Sequence, residues 1–395
     1  MLTADLVATG GGYAPDGWRQ WPDDAELSAQ FVRILAAAQD GASTVGECFQ
    51  AAGRIAAGDR ESWHRAWLIP ARRSFARAEA AEASGHRHSA RANWIRAANY
   101  FRSAEFFLDP ADRRRLPTFD RVESCSRRTL TLFDIPGEEV RVPYEASHLH
   151  AYWLPATRGL VSPAIVAFGG LDEYKDELIQ EMQRTAHERG LSLLLVDLPG
   201  QGAALRWHKL LARPDSEVPV GACVDWLLAR DDVDPARIAL YGASLGGYHV
   251  TRAAAREHRV ACAVSDGAQW KLAEAAEAMK AAPDGITATL CRWVFGAADM
   301  GALVEIARPF DLEPVVGDIR CPFLIVSGEL DLPGADNART LYAAALAAGV
   351  EVELRWFGPD ETGAAHCQID NPTIGMETIC DWIADRLDHK RKSRG

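Results

Sequence analysis

The sequence predicts an α/β protein, a mostly parallel sheet flanked by helices, with a helical domain at its N-terminus and a helical cap inserted late in the chain. Three observations predict it. Short apolar runs alternate with helical stretches beyond residue 160, the pattern of parallel strands covered on both faces. Residues 24–117 are rich in Ala, Arg, Glu and Trp and almost free of β-branched runs, so they read as several amphipathic helices. A Gly-x-Ser-x-Gly turn, Gly242-Ala243-Ser244-Leu245-Gly246, stands between a strand-forming and a helix-forming run.

Composition narrows the class. With 395 residues, 48% of them hydrophobic, the chain can build a large core. Its formal net charge is −12, and basic residues cluster only in the tail His389-Lys390-Arg391-Lys392, which argues against nucleic acid as a partner. The start, Met1-Leu2-Thr3-Ala4-Asp5-Leu6-Val7, lacks a basic leader followed by an apolar run, and no apolar stretch of about 18 residues occurs. A cytoplasmic protein with no membrane partner is expected. Eight scattered cysteines without a C-x-x-C pair fit reduced thiols. Eleven histidines show no H-x-x-x-H spacing, so no metal is expected.

Taken in order, the elements begin with the helical domain, residues 1–120. In the stretch 90–107, Trp94, Tyr100, Phe101 and Phe107 recur near helical spacing, and no second copy follows, so a compact domain is expected rather than a repeat array. After Pro117 the texture turns to alternation. Thr129-Leu130-Thr131-Leu132-Phe133 and Leu149-His150-Ala151-Tyr152-Trp153-Leu154 read as antiparallel strands joined through Pro136-Gly137. A boundary near residue 120 therefore opens a catalytic domain, 121–395. Its apolar runs are Ala164–Phe168, Leu191–Val196, Ile238–Tyr241, Cys262–Val264, Phe323–Val326 and Val352–Trp356. Between about 269 and 314 the rhythm breaks into an Ala- and Met-bearing helical stretch, read as a cap over the strand ends where such sheets bind ligands.

The Gly242–Gly247 turn carries the chemistry. A nucleophile in a sharp strand-to-helix turn needs small neighbours so that strand and helix can approach closely. Ser244 would stand exposed at the top of the sheet, with the Leu245 N–H offered to a developing oxyanion. The loop Phe168-Gly169-Gly170-Leu171-Asp172 would supply a second donor, the N–H of Gly170 or Leu171. The strand Phe323–Val326 ends in Ser327-Gly328-Glu329-Leu330-Asp331 before the turn residues Pro333-Gly334, which makes Asp331 the candidate acid; Glu329, Asp336 and Asp266 are alternatives. His366, in the loop after the last strand, is the candidate base. His148, His187, His208, His249 and His258 read as structural. The mechanism these roles imply is attack of Ser244 on a carbonyl, proton transfer to His366, orientation of the imidazole by Asp331, and hydrolysis of an acyl-enzyme, with no cofactor.

These residues resemble the α/β-hydrolase superfamily over roughly residues 120–390, and Asp197-Leu198-Pro199-Gly200-Gln201-Gly202 and Asp234-Pro235-Ala236-Arg237 fit it too. The helical N-terminal domain, the loop Gly169–Glu177 and the ending His366-Cys367-Gln368 look like the group of 2,6-dihydroxypseudooxynicotine hydrolase and the FrsA-like esterases. That resemblance implies a serine-dependent hydrolase whose helical domain and cap enclose a small-molecule pocket. In this group the bond broken is an ester or a C–C bond beside a ketone.

Candidate pocket walls are Tyr100, Trp63, Trp67 and Trp94 from the helical domain and Trp270 and Trp293 from the cap, although aromatic residues of about 150–250 Å² also serve as ordinary core. The Trp-rich helices also offer a face for a homodimer. A peptidase or an acyltransferase would use the same triad, and a binding protein retaining the fold would not need it intact.

Overall fold

The computed structural model describes residues 19–331 and 334–392; Met1–Val7 and the predicted turn residue Pro333 lie outside them. The helical layer begins with α1 (Ala25–Ala36), α2 (Val45–Ala52) and α3 (Arg60–Ala83), whose first turns are capped by Asp24, Thr44 and Asp59. α4 (Arg87–Glu105) and α5 (Arg115–Thr131) complete it. Trp63, Trp67, Trp94 and Tyr100 are fully buried between these helices. Trp67 stacks on Tyr100 at 5.7 Å, and the Trp63 indole donates to Ser103 O at 2.7 Å.

Two expectations fail here. Thr129–Phe133 is not a strand: Thr129–Thr131 end α5 and Leu132-Phe133 leave it in a turn, while position 120 lies inside that helix. The Thr129 hydroxyl donates to Cys125 O one turn back, so the threonines that suggested alternation are satisfied within the helix. Nor does Pro136-Gly137 form the hairpin turn. β1 (Glu138–Tyr144) pairs antiparallel with β2 (Ser147–Leu154) across Glu145-Ala146, with Glu145 at φ 48°.

The rest of the chain alternates: β3 (Ser162–Phe168), α6 (Lys175–Glu188), β4 (Ser192–Val196), α7 (Gly202–Arg206), α8 (Glu217–Leu228), β5 (Val233–Ala243), α9 (Leu245–Arg256) and β6 (Cys262–Asp266). Three helices follow, α10 (Leu272–Ala278), α11 (Ile286–Phe295) and α12 (Met300–Ala307), before β7 (Phe323–Gly328), α13 (Gly334–Ala347), β8 (Val352–Phe357) and α14 (Pro372–Lys392). The eight strands lie in the order β1-β2-β4-β3-β5-β6-β7-β8, parallel from β4 to β8. Alternate residues feed opposite cores: Val166 and Leu240 pack on one face, Ile165 and Ala239 on the other.

The two parts of the molecule share surfaces. Ile286 and Leu290 of α11 pack into the aromatic core of the helical layer, and the Ile286 N–H donates to Glu26 Oε1 at 2.9 Å. Leu130, at the end of α5, and Phe133, just past it, belong to the core of the sheet. No helix among the described residues is long and apolar enough to cross a membrane.

Candidate active site

β5 delivers Ser244 into a turn whose geometry only this local sequence permits. Ser244 sits at φ 57°, ψ −117°, a left-handed conformation that a side-chain-bearing residue holds at a cost of about 1–3 kcal/mol. Its N–H donates to Asp266 O at 2.7 Å, pinning the turn to β6. A Cβ on Gly246 would lie 2.6 Å from Gly169 O, and one on Gly242 would collide with the Gly246 carbonyl. The glycines are therefore required by the close approach of the loop after β3 and of the first turn of α9.

His366 bridges the other two residues. Its Nε2 lies 2.9 Å from Ser244 Oγ and its Nδ1 2.9 Å from Asp331 Oδ1. Both side chains are buried, and Asp331 is held just ahead of α13, where a Cβ on Gly334 would strike its carboxylate. Burial favours the neutral imidazole, but the Asp331 carboxylate outweighs it and leaves the His366 pKa above the usual value.

The alternative acids are elsewhere. Glu329 is exposed, and Asp336 pairs with Arg339 at 3.2 Å on the surface. Asp266 is buried near the site, but its carboxylate accepts from Gln368 Nε2 at 3.1 Å and Tyr241 OH at 3.3 Å. Burial pushes its carboxyl up to about 7.

Gly170 faces Ser244 so closely that a Cβ there would lie 2.7 Å from Ser244 Cβ. Leu245 opens α9, where backbone N–H groups have no partner within the helix. Leu171 instead lines a small cavity of about 10 Å³ beside the site, together with Trp293. The Ser244 pocket, of about 100 Å³, is walled by the helical layer through Arg33, Asn99 and Arg102 and by Asp172, Glu173 and Gln368.

Two predicted walls are corrected. Tyr100 is turned into the helical layer, its hydroxyl donating to Glu47 Oε2 at 2.8 Å and accepting from Thr44 N at 2.9 Å. Trp270, just past β6, is buried in the hydrophobic core shared by one face of the sheet and the inserted helices. Trp63, Trp67 and Trp94 are likewise core, and Trp293 stacks under the Arg115 and Arg206 guanidiniums at 4.4 and 5.0 Å.

Sequence reasoning missed the arginines. Arg102 is buried, with Nε 2.8 Å from Glu177 Oε1 and Nη2 3.1 Å from the Asp172 main-chain O and 3.4 Å from its carboxylate; Arg33 reaches the Glu177 and Asp172 carboxylates at 3.0 and 3.1 Å. They clamp α1 and α4 onto the loop that carries Gly170. The signal available was an arginine set among aromatic residues on a buried helix face, in Asn99-Tyr100-Phe101-Arg102-Ser103.

Residues 163–287 match the family model described as the alpha/beta hydrolase fold. The chain is 37% identical over 249 residues to hydrolyase poxO of Penicillium oxalicum, an alignment covering 60% of this chain and 59% of that protein's length. It is 30% identical over 407 residues to hydrolase LUC6 of a Fusarium species, covering 92% of this chain and 96% of the relative. The crystal structure of 2,6-dihydroxy-pseudo-oxynicotine hydrolase superposes with a TM-score of 0.74 at 23% identity, over 89% of this chain and 95% of that one, a likeness of fold. A serine held in a left-handed strand-to-helix turn of a mostly parallel sheet, and a full-length match to a relative named as a hydrolase, lead to one assignment: the chain belongs to the α/β-hydrolase family.

Proposed function

We propose that the protein is a serine hydrolase that cleaves a small carbonyl compound, at an ester or at a C–C bond beside a ketone, through an acyl-enzyme. The observation that carries this reading is the unbroken pair of 2.9 Å contacts from Ser244 Oγ through His366 to Asp331. Ser244 Oγ attacks the carbonyl carbon while His366 Nε2 takes its proton. Asp331 holds Nδ1–H and stabilises the imidazolium. The oxyanion is received by the N–H of Leu245 and by that of Gly170 or Leu171. Collapse expels the alcohol, or the carbon leaving group, with the proton returned from His366. Water, activated in turn by His366, then releases the acid and restores Ser244.

The polar lining, with Asn99, Arg102, Asp172, Glu173 and Gln368 around a narrow cavity walled by the helical layer, supports an oxygenated substrate. The test is intact-mass analysis after incubation with a fluorophosphonate. One adduct, mapped to Ser244 and absent from Ser244→Ala, is expected; folded protein that stays unlabelled overturns the reading. Turnover of aryl esters against aryl ketones then assigns the bond.

A further inference from the structure

Away from the Ser244 pocket, two groups of potential ligands converge among the described residues. One, Glu123, Asp176 and Asp197, already surrounds a cation: Lys175 Nζ lies 3.0 Å from Asp176 and 3.2 Å from Asp197 and pairs with Glu123. Its charge needs no further ion. The other is made of three neutral-type ligands and has no such occupant.

His148 and His150 stand two residues apart on β2, so their side chains leave the same face of the sheet, opposite Leu149 in the core. His208, just past α7, comes up against them. One ring nitrogen from each lies within 4.8 Å of the others. The ring centroids are 4.7 Å apart for His148 and His150, 4.9 Å for His148 and His208, and 5.0 Å for His150 and His208. His150 is 4% exposed, and Trp207 packs edge-on against it at 4.9 Å. The polar atoms are poorly satisfied for so enclosed a place: His148 Nε2 and His150 Nδ1 have no hydrogen-bond partner.

We propose that His148, His150 and His208 form a three-histidine site for a divalent first-row transition metal of the zinc and copper class, with solvent completing the coordination. Imidazole nitrogen is the ligand these ions take, and three histidines plus water is an established ligand count. The geometry is close to what an ion requires. His150 Nε2 and His208 Nε2 are 2.8 Å apart. Two nitrogens bound at ~2.0–2.1 Å would be separated by ~2.8–3.0 Å at a right angle and ~3.3–3.4 Å at the tetrahedral angle. His148 is partly exposed and can swing the remaining distance. Without an ion, the 2.8 Å contact is a hydrogen bond in which one ring donates Nε2–H to the other; on binding, that ring shifts its proton to Nδ1 and both Nε2 lone pairs turn to the metal. The neighbouring Lys175 ammonium does not oppose the ion, because its three carboxylates compensate it.

The site would act as a staple. It joins β2 to the segment after α7, which itself meets α5 where the Trp207 indole donates to Asp120 Oδ1 at 3.0 Å. The sequence carried the signal in His148-Leu149-His150, a spacing that pairs ligands on a strand where H-x-x-x-H pairs them on a helix.

The experiment titrates the full chain, stripped with a chelator, with Cu(II) and separately with Zn(II). One equivalent is expected to bind, with a Cu(II) electron paramagnetic resonance spectrum showing imidazole nitrogen couplings, and Cu(II) is expected to displace bound Zn(II). His148→Ala and His208→Ala should each weaken binding by at least the ~10–100-fold that loss of an outer-shell partner costs, while His88→Ala, an exposed histidine, should not. Sub-stoichiometric binding by the wild type, binding unaffected in both variants, or binding abolished instead by His366→Ala overturns the proposal. If a variant fails to fold, the nitrogen count in the wild-type copper spectrum decides, and fewer than three imidazoles refutes the site.

Discussion

Replacing Gly170 by alanine interrogates the site with a single methyl group. The added carbon would lie 2.7 Å from Ser244 Cβ, 3.0 Å from Ala243 O and 3.3 Å from Ser244 Oγ. Carbon atoms settle at ~3.5–4.0 Å, so a gap of about 1 Å must open between the loop after β3 and the serine turn. The serine side cannot retreat, since its N–H is tied to Asp266 O and its chain enters α9. The loop must yield, carrying its N–H donors with it. A displacement of about 1 Å at reacting groups costs about 10² in rate, which is about 2.7 kcal/mol of barrier. The assay is the second-order rate of fluorophosphonate labelling alongside ester turnover, with thermal unfolding to confirm the fold. Gly46→Ala, on α2 where a Cβ meets open space, should leave both rates unchanged. A folded Gly170→Ala variant that labels within a few-fold of wild type would refute both the placement of the loop and its part in the chemistry.

Other consequences can be measured on the same protein. Because His366 must be neutral to accept the serine proton and its pKa is raised, kcat/KM should climb with pH through an inflection above about 6.5, and Asp331→Asn should lower that inflection. The stabilisation from this pair is full below the unfolded value of about 6.5 and is lost as pH rises through the raised folded value, as pH-dependent denaturation of wild type and Asp331→Asn would register. Arg102→Ala strips a buried carboxylate, Glu177, of one of its two arginines and should cost about 3 kcal/mol in urea denaturation; a loss under about 1 would contradict the clamp. Tyr100→Phe should cost about 1–2 kcal/mol of stability through the bonds to Glu47 and Thr44, and kcat should not change; a fall in kcat would return Tyr100 to the pocket.

Much of this was legible in the chain, for a reason that varies by element. The apolar runs of strands β3 to β7 are bounded by turns and buried on both faces, and such runs declare themselves; β8, at the sheet edge, is only partly buried. Ser244, Asp331 and His366 could be picked out because each closes or follows one of those strands, so local pattern also fixed position. The region after Pro117 misled because Thr129-Leu130-Thr131-Leu132 carries two periods at once. The buried set Val122, Ser126, Thr129, Leu130 and Phe133 has helical spacing, and packing of Val122 into the helical layer and of Leu130 and Phe133 on the sheet decided between them. Tyr100 and Trp270 could not be assigned from sequence, since an aromatic residue on a helix fits a core or a pocket equally well until its neighbours are known. The arginine clamp was hidden differently. It joins residues far apart along the chain, and nothing local encodes a contact between Arg33 and Asp172.

That separation governs the order in which the protein can assemble. Arg33 and Asp172 are 139 positions apart and Arg102 and Asp172 are 70 apart, so these contacts close long loops and form late. During synthesis the helical layer leaves the ribosome first, with the face of Ile34, Asn99 and Arg102 lacking the sheet it will cover. A chain with a finished sheet and undocked helices would hold Ser244, His366 and Asp331 in register, yet its Gly170 loop would be unsupported. Gain of activity should therefore lag behind burial of the sheet during refolding, reporting the arrival of the arginines rather than the formation of the strands.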